Sequence, residues 1–169
     1  MSESDEALAE RFAAAFRTHP AGVAIITADD GSGPAGLTAT SVISLSARPA
    51  LLAFSLSARS SAAPRIEAAG SVVVHLLDAG QVDLAKRFAT GGIDRFAPPC
   101  RWHRLATGEP VLSSVGTWLR GRIADGLTAG GSTLVVVEVD EVGPGAAADA
   151  PLVYRDRTWY ALDERAVTA

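Results

Sequence analysis

The first hydrophobic pattern along the chain is helical. Leu8, Phe12 and Phe16 recur every four residues and form one apolar stripe on a segment from about residue 4 to residue 17. His19-Pro20 ends this segment, because the residue before a proline avoids the helical region of backbone conformation. The sequence therefore predicts an amphipathic helix near the start of the chain.

Patterns typical of β-strands occupy most of the remaining chain. Continuous apolar, β-branched runs predict buried strands, and alternation of polar with apolar residues predicts strands with one solvated face. The predicted strands cover residues 23–28, 36–46, 50–57, 71–77, 115–124, 133–142, 152–154 and 158–162. The 36–46 run is interpreted as a single strand, because its side chains alternate with a period of two throughout.

Two short helices interrupt the strand pattern. Ser60 and Ser61 are typical capping residues, and they predict a helix over residues 61–69. Asp78 is a suitable cap for a second helix, which would bury Phe88 on its inner face.

The connections between these elements are short or irregular. Residues 91–113 contain several prolines and glycines and should be mostly loop, and residues 143–150 should form a flexible connection. Because few connections are long enough for helical crossovers, the pattern favours an antiparallel β-barrel over a doubly wound sheet. We expect one domain that spans residues 1–169.

Composition narrows the class of protein. Hydrophobic residues make up 48% and charged residues 20% of the chain, which is typical of a globular protein. The net charge of -4, with no cluster of Lys or Arg, predicts that nucleic acid is not a partner. Cys100 is the one cysteine, so an intrachain disulfide is excluded. The acidic start and the lack of a long apolar run predict a cytoplasmic protein that does not enter a membrane.

The first candidate site is a hydroxyl-rich segment. Five serine or threonine residues lie within the nine positions from Thr38 to Ser46. Serine is a poor strand former, so such a strand costs stability. One explanation is a barrel strand with a solvated face. The other is a polar lining that supplies hydroxyl and backbone donors to a ligand rich in oxygen and nitrogen.

The second candidate site lies just before the first of the two short helices. The free N–H groups at a helix start, together with Arg59, Ser60 and Ser61, would attract a phosphate. Ordinary helix capping is the alternative explanation. Further along, Arg95 could pair with Asp94 on the surface or approach a ligand phosphate.

Metal and nucleotide signatures are missing from the sequence. His19, His75 and His103 are scattered, with no cysteine or carboxylate at ligand spacing, so no metal site is predicted. His75 lies within a strand pattern and is expected to be a satisfied buried residue. No glycine-rich dinucleotide fingerprint follows a predicted strand.

Taken in order, the segments resemble the flavin reductase-like FMN-binding split-barrel family, specifically the small reductase component of two-component flavin-dependent monooxygenases. The resemblance runs from about Phe16 to Leu162. It is carried by FRTHPAGVAIITA, GLTATSVISLSARPALLAFSLSARSS, IEAAGSVVVHLL, QVDLAKRFA, DRF, GEPVL, VGTWLRGRI, AGGSTLVVVEV and PLVYRDRTWYAL. It implies a split β-barrel of about six antiparallel strands with short flanking α-helices.

The resemblance also implies a flavin site. Residues 38–42 would run beside the flavin ring and ribityl chain, residues 55–57 would lie over the ring, and residues 59–61 would bind phosphate. The candidate cofactor-binding residues are Thr38, Ala39, Thr40, Ser41, Val42, Ser44, Ser55, Leu56, Ser57, Arg59, Ser60, Ser61, Phe88, Ala89 and Arg95.

The sequence departs from the family pattern in three places. The family's Gly-Asp-His-Thr reads Gly130-Gly131-Ser132-Thr133 here, so the acid and the imidazole associated with the nicotinamide site are both missing. His75 stands where an asparagine is usual, and Ala62 stands where a threonine near the phosphate is common. The flavin site is therefore better supported than the nicotinamide site.

The function implied by the resemblance is an NAD(P)H:flavin oxidoreductase. Hydride would pass from NADH or NADPH to FMN or FAD, and the reduced flavin would serve a partner monooxygenase. A homodimer is expected, with the apolar strand around Trp118 and the Phe12/Phe16 stripe as candidate contact surfaces. A flavin-binding carrier without reductase activity is the alternative, and a split-barrel module that binds no flavin is the third.

Overall fold

One large antiparallel sheet forms the framework of the chain, of which the computed structural model describes residues 3–145 and 150–163. Its neighbouring strands all run antiparallel. Across the sheet, the strands are β3 (Pro34–Ala39), β2 (Ala24–Asp29), β6 (Ser71–Leu76), β9 (Thr117–Ala129), β10 (Ser132–Val142), β5 (Ala50–Ser57) and β4 (Ile43–Ala47).

Smaller elements flank this sheet. A three-stranded sheet contains β1 (Ala21–Gly22), β11 (Leu152–Arg155) and β12 (Thr158–Ala161), and a two-stranded sheet contains β7 (Trp102–Arg104) and β8 (Pro110–Leu112). The helices are α1 (Glu3–Thr18), α2 (Ala63–Ala68) and α3 (Val82–Ala89). A 3₁₀ turn at Ala79–Gln81 leads into α3, and the predicted Asp78 cap begins that turn.

The edge strands of the large sheet, β3 and β4, are consecutive in the chain. Residues 40–42 alone connect them, and such a connection spans at most roughly 15 Å. The sheet must therefore curl until its two edges come near each other. In the described residues, β3 and β4 do not pair, so the barrel stays split along this line. The predicted mainly β split barrel is confirmed, with seven strands in its main sheet rather than about six.

One boundary predicted from the sequence is wrong. Residues 36–46 do not form one strand, because the chain leaves β3 at Ala39 and crosses to the other edge of the sheet before β4 begins. Residues 91–113 are mostly loop, as predicted, although the short strands β7 and β8 pair within them. In the predicted flexible connection 143–150, residues 146–149 lie outside the described residues.

The core is divided between the two faces of β2. Ile26 packs inside the curled sheet with Phe54 and Val74, whereas Ile25 packs under α3 with Phe88. Both isoleucines are fully buried, which explains why this strand is a continuous apolar run rather than an alternating one. Truncation of either isoleucine to alanine should cost about 2–5 kcal/mol.

The apolar stripe of α1 is exposed. Leu8 is 65% exposed, and Phe12 and Phe16 are each 62% exposed. Trp118, by contrast, is 8% exposed and packs against Val73 and Val111, so its side chain offers little surface to a partner subunit. Within the described residues, none of the helices combines the length and the apolar character that crossing a membrane requires.

An ion pair that the sequence analysis did not predict joins Arg120 of β9 to Glu109, the residue just before β8. Arg120 donates from Nε and Nη2 to Oε1 of Glu109 at 2.9 and 2.7 Å, and Ser71 donates to the same oxygen at 2.6 Å. Burial raises the pKa of Glu109, but these hydrogen bonds, with one from Thr107, outweigh it and lower the pKa to about 2. The carboxylate therefore stays charged throughout the physiological pH range.

His75 is the satisfied buried residue that the sequence predicts. Its Nε2 accepts the backbone N–H of Leu112 at 3.0 Å, so Nδ1 carries the proton and donates to the carbonyl of Ile25 at 3.1 Å. Burial lowers the pKa of His75 to about 4. The imidazole is thus neutral in the folded chain and bridges β2 to β8.

This environment predicts a loss of stability in mild acid. Below pH 6.5 the unfolded chain binds a proton at His75 that the folded chain does not bind until about pH 4. The free energy of unfolding should then fall by up to about 1.4 kcal/mol per pH unit across that window. Urea unfolding at about pH 7 and about pH 5.5 should show a larger loss for wild type than for His75→Asn. His103→Gln, at an exposed histidine, is the control and should behave as wild type. An equal loss in wild type and His75→Asn would assign the acid sensitivity to other groups.

Candidate functional site

A cavity of about 620 Å³ opens at the split, between the end of β3, the end of β5 and the end of α3. Most of the residues predicted to bind a cofactor line it. These are Thr38, Ala39, Thr40, Ser41, Ser55, Ser57, Arg59, Ser60, Ser61, Phe88, Ala89 and Arg95. The structure therefore brings together segments that are up to about 57 positions apart in the sequence, from Thr38 to Arg95.

The wall of the cavity is held by contacts between β3 and α3. The hydroxyl of Thr38 donates to the carbonyl of Ala85 at 2.6 Å. A Cβ atom at Gly36 would lie only 2.8 Å from the Phe88 ring, so glycine lets the ring pack directly against the strand. Phe88 is fully buried and also contacts Phe96 edge to face. It is therefore both a core residue and part of the cavity lining.

Ser41 joins the connection between the edge strands to β5. Its hydroxyl accepts the backbone N–H of Ser55 at 2.9 Å and donates to the Ser55 carbonyl at 3.2 Å. The Ser41 hydroxyl thus bonds to the β5 backbone at Ser55, where β4, which pairs with β5 from Ile43 onward, supplies no backbone partner. Within the described residues, the backbone N–H groups of Thr40 and Ser41 have no hydrogen-bond partner. Both residues border the cavity.

The β5 wall follows the alternation of a strand. Ser55 and Ser57 point outward and line the cavity, whereas Leu56 is 1% exposed and packs in the core. Leu56 was predicted to bind the cofactor, but its side chain lies in the core and does not line the cavity. The β9–β10 turn lies alongside, because Ser132 pairs with Ser57 and the Gly131 carbonyl accepts the N–H of Ala58 at 3.1 Å.

Residues 59–61 form a turn at one end of the cavity. The N-cap position of α2 is Ala62, with no side-chain cap, so the prediction that a capped helix begins at Ser61 is wrong. The hydroxyl and carbonyl of Ser60 instead accept the N–H groups of Ala62 and Ala63. The guanidinium of Arg59 is exposed and makes no hydrogen bond or ion pair to another described residue. It is an uncompensated cation at the cavity mouth.

Arg95 is the second cation of this cavity. It donates from Nη1 to the Gly36 carbonyl at 2.8 Å and from Nε to the Thr90 carbonyl at 3.0 Å. The suggested surface pair with Asp94 does not form, because that carboxylate accepts the N–H of Phe96 at 2.9 Å. Partial burial lowers the pKa of Arg95, but a guanidinium remains charged at neutral pH. Backbone contacts therefore fix this cation against β3.

Some predicted residues lie elsewhere, and some lining residues were missed. Val42 and Ser44 border an apolar groove on the other side of the connection. Leu37, Gly91 and Gly92 line the cavity although the sequence analysis did not select them. The Gly91-Gly92 pair after a helix could have indicated a close approach of backbone to a ligand. In the described part of the chain, no group of His, Cys, Asp or Glu side chains is arranged to hold a metal ion.

Comparison with known proteins identifies the family. The flavin reductase like domain matches residues 16–163. A protein named NADH:FMN oxidoreductase from Rhodococcus qingshengii is 42% identical over 154 residues, which cover 88% of this chain and 79% of that protein. The chain belongs to the flavin reductase-like family, as its sequence segments predicted.

Solved structures agree with this assignment. A flavin reductase domain protein from Arthrobacter sp. FB24 is 37% identical, with a TM-score of 0.85 over 94% of this chain and 99% of that one. A homologue of nitrilotriacetate monooxygenase component B from Mycobacterium thermoresistibile is 25% identical, with a TM-score of 0.86 over 97% of this chain and 93% of that one. Both likenesses extend over nearly the whole split barrel.

The Ser41 contacts predict a local loss of stability when the hydroxyl is removed. Ser41→Ala leaves the Ser55 N–H and carbonyl without their partner and should lower the free energy of unfolding by about 1 kcal/mol. The Ser55 amide should also exchange faster with deuterium. Ser41→Thr keeps the hydroxyl and should restore both properties. If Ser41→Ala exchanges at the wild-type rate, the hydroxyl does not hold the connection to β5.

Proposed function

We propose that the cavity at the split binds the FMN portion of a flavin, with its phosphate at residues 59–61 and its ring beside residues 38–41. The chain is an NAD(P)H-dependent flavin reductase, and this activity needs a flavin site. The observation that carries the assignment is the pairing, in one cavity, of uncompensated Arg59 with the unpartnered N–H groups of Thr40 and Ser41. The carrier without reductase activity is not favoured by the relatives, which are named as reductases.

The phosphate end is defined by charge. Arg59 and Arg95 are cations, and Ser60 and Ser61 add hydroxyl groups within the same cavity. Guanidinium groups bind phosphate by charge-assisted hydrogen bonds, which are about twice as strong as neutral ones. Arg95 is already fixed by two backbone carbonyls, so little side-chain entropy would be lost when it meets a phosphate.

The ring end is defined by neutral donors and apolar surface. The N–H groups of Thr40 and Ser41 suit the carbonyl oxygens and ring nitrogens of a flavin, and Phe88 and Ala89 supply apolar contacts. Donors fixed in the backbone can stabilise negative charge on the reduced ring without reorganising. Ser41 fixes them, because its side chain takes over the hydrogen bonding to β5.

The chemistry requires orientation more than proton transfer. When bound, the flavin supplies the hydride acceptor for the reduced nicotinamide. Among the described residues that line the cavity, the titratable groups are Arg59 and Arg95, neither of which serves as an acid or base near neutral pH. The chain's contribution is therefore to hold the two rings at reacting distance and to stabilise charge.

The particular substrates are part of the proposal. The name of the Rhodococcus relative supports FMN and NADH. FAD would also fit if its adenylate left the cavity beside Ser61 and Arg95, where an adjoining cleft of about 230 Å³ begins. The reduced flavin would pass to a monooxygenase, as the name of the Mycobacterium homologue suggests. A cytoplasmic location fits a protein that draws on the nicotinamide pool.

Arg59 provides the test of the flavin orientation. Arg59→Gln should weaken FMN binding roughly three- to tenfold in a fluorescence titration, because one charge-assisted phosphate contact is lost. Riboflavin has no phosphate, so its affinity should not change. Arg48→Gln removes the same charge outside the cavity and is the matched control. Equal losses for FMN and riboflavin would place Arg59 against the ring, and no loss for either would remove it from the site.

We further propose that the protein is a homodimer. The exposed stripe of α1, formed by Leu8, Phe12 and Phe16, is a continuous apolar surface of the kind that a partner subunit covers. The groove beside β4 adds exposed Ile43 and Val142. These two surfaces support association of two copies.

Light scattering measures the assembly directly. The wild type should have twice the 17.4 kDa mass of one chain. The double variant Leu8→Ser, Phe12→Ser should shift toward the mass of one chain at low concentration, because it removes apolar contact area. Ala13→Ser on the same helix is the control. A wild type with the mass of a single chain would refute the dimer.

A further inference from the structure

The segment that carries Arg95 into the flavin cavity has no regular secondary structure. It comprises residues 90–97, the first part of the connection from α3 to β7, and we call it the Arg95 loop. Gly91 and Gly92 lie in this loop and line the cavity. Because glycine loses more backbone freedom on folding than any other residue, a loop with two adjacent glycines needs contacts that fix it.

The guanidinium of Arg87 binds the backbone of the Arg95 loop at three points. Nε donates to the carbonyl of Arg95 at 2.7 Å, and Nη2 donates to the carbonyls of Asp94 and Ala97, both at 2.8 Å. Among the described residues, no backbone N–H donates to the carbonyls of Asp94 or Arg95. Arg87 therefore supplies hydrogen bonds that the irregular backbone of the loop does not supply for itself.

The helix that carries Arg87 is itself anchored in the core. Arg87 lies in the last turn of α3, next to the fully buried Phe88. Phe96 of the Arg95 loop is buried as well, and its ring packs edge to face against Phe88 at 5.1 Å between centroids. Arg87 thus fixes the loop to a rigid element, and its planar fork of donors suits several carbonyl groups at once.

Arg87 acts on the cavity through Arg95 and not by direct contact. Arg95 lines the flavin cavity, whereas Arg87 does not. The Arg95 side chain is held by the carbonyls of Gly36 and Thr90, and its backbone carbonyl is held by Arg87. Both the backbone and the guanidinium of Arg95 are therefore fixed before a ligand arrives.

We propose that Arg87 is a positioning residue for the flavin phosphate, because it holds the Arg95 loop in the conformation in which Arg95 faces the cavity. The inference rests on the flavin site proposed above, since it takes Arg95 as a phosphate-binding group. A loop that is already ordered loses little conformational entropy when its cation meets a phosphate. Without Arg87 that entropy would be lost on binding, and FMN affinity would fall although every group that touches FMN is still present.

Comparison of FMN with riboflavin separates positioning from a general structural role. Arg87→Gln should weaken FMN binding roughly two- to fivefold in a fluorescence titration. The affinity for riboflavin, which has no phosphate, should not change. A general structural role would weaken both, because Phe88 and Ala89 of the same helix line the cavity. At saturating NADH, the KM for FMN should rise by the same factor while kcat stays the same.

A double-mutant cycle tests whether Arg87 acts through Arg95. Arg95→Gln alone should weaken FMN binding roughly three- to tenfold, since a charge-assisted phosphate contact is lost. Addition of Arg87→Gln should then cost nothing further, because the group that it positions is gone. Lys86→Gln is the matched control and should behave as wild type. It removes one positive charge from the same turn of α3, at an exposed residue outside the cavity.

A conservative variant separates geometry from charge. Arg87→Lys keeps the positive charge but replaces the planar fork by a single nitrogen, so it should also lose FMN affinity. In the protein without flavin, the amide of Phe96, which donates to the Asp94 carboxylate at 2.9 Å, should exchange faster with deuterium in both Arg87 variants. Lys86→Gln should leave this exchange rate unchanged.

Four results would overturn the inference. They are wild-type FMN affinity in Arg87→Gln, an equal loss for FMN and riboflavin, additive losses in the double variant, and wild-type FMN affinity in Arg87→Lys. The last result would assign the effect to charge alone. The proposed function fails in a different way: Arg95→Gln with unchanged FMN affinity would show that the phosphate does not lie at Arg95. A loss in Arg95→Gln without one in Arg87→Gln would contradict the positioning role alone.

Discussion

The connection between β3 and β4 is the constraint on which the rest of the site depends. It must join opposite edges of a seven-stranded sheet with residues 40–42 alone. A backbone stretched across a gap cannot pair with both edges, so its N–H groups would be left over. The Ser41 hydroxyl makes the hydrogen bonds to β5 that the backbone does not make, because it bonds to both the N–H and the carbonyl of Ser55. The unpaired N–H groups belong to Thr40 and Ser41, which line a cavity, so their polarity is available to a ligand.

The same connection separates two regions of positive charge. Arg59 and Arg95 lie on one side of the ring end, and Arg17 and Arg157 lie on the other. Between them the lining is hydroxyl, backbone and aromatic surface without a carboxylate, in the residues that the structure describes. The flavin proposed for the cavity would hold its phosphate at Arg59 and Arg95 and its uncharged ring beside the connection, so its charge would lie away from Arg17 and Arg157.

The sequence predicted the elements better than their junctions. The continuous apolar run of β2, the capped turn before α3 and the satisfied buried His75 follow from local pattern and chemistry, and all are confirmed. The break at residues 40–42 could not be read from the pattern, because the alternation of side chains continues across it. Leu56 and Ser44 were selected with their neighbours, but strand alternation directs Leu56 into the core, and the crossing of the chain carries Ser44 to another groove. The Glu109–Arg120 pair depends on three-dimensional proximity that no spacing in the sequence encodes.

The β9–β10 turn shows how a local backbone requirement and a missing functional residue can coincide. Gly130 and Gly131 are the two residues of this hairpin loop, and their φ angles are 56° and 79°. Such a loop favours glycine at both positions, since a side chain in the left-handed region costs roughly 1 kcal/mol. The turn therefore explains Gly131, but it does not explain Ser132, which lies in regular β10 and pairs with Ser57. Regular strand backbone accepts side chains of any size, so the fold does not require a serine at Ser132 as it favours a glycine at Gly131.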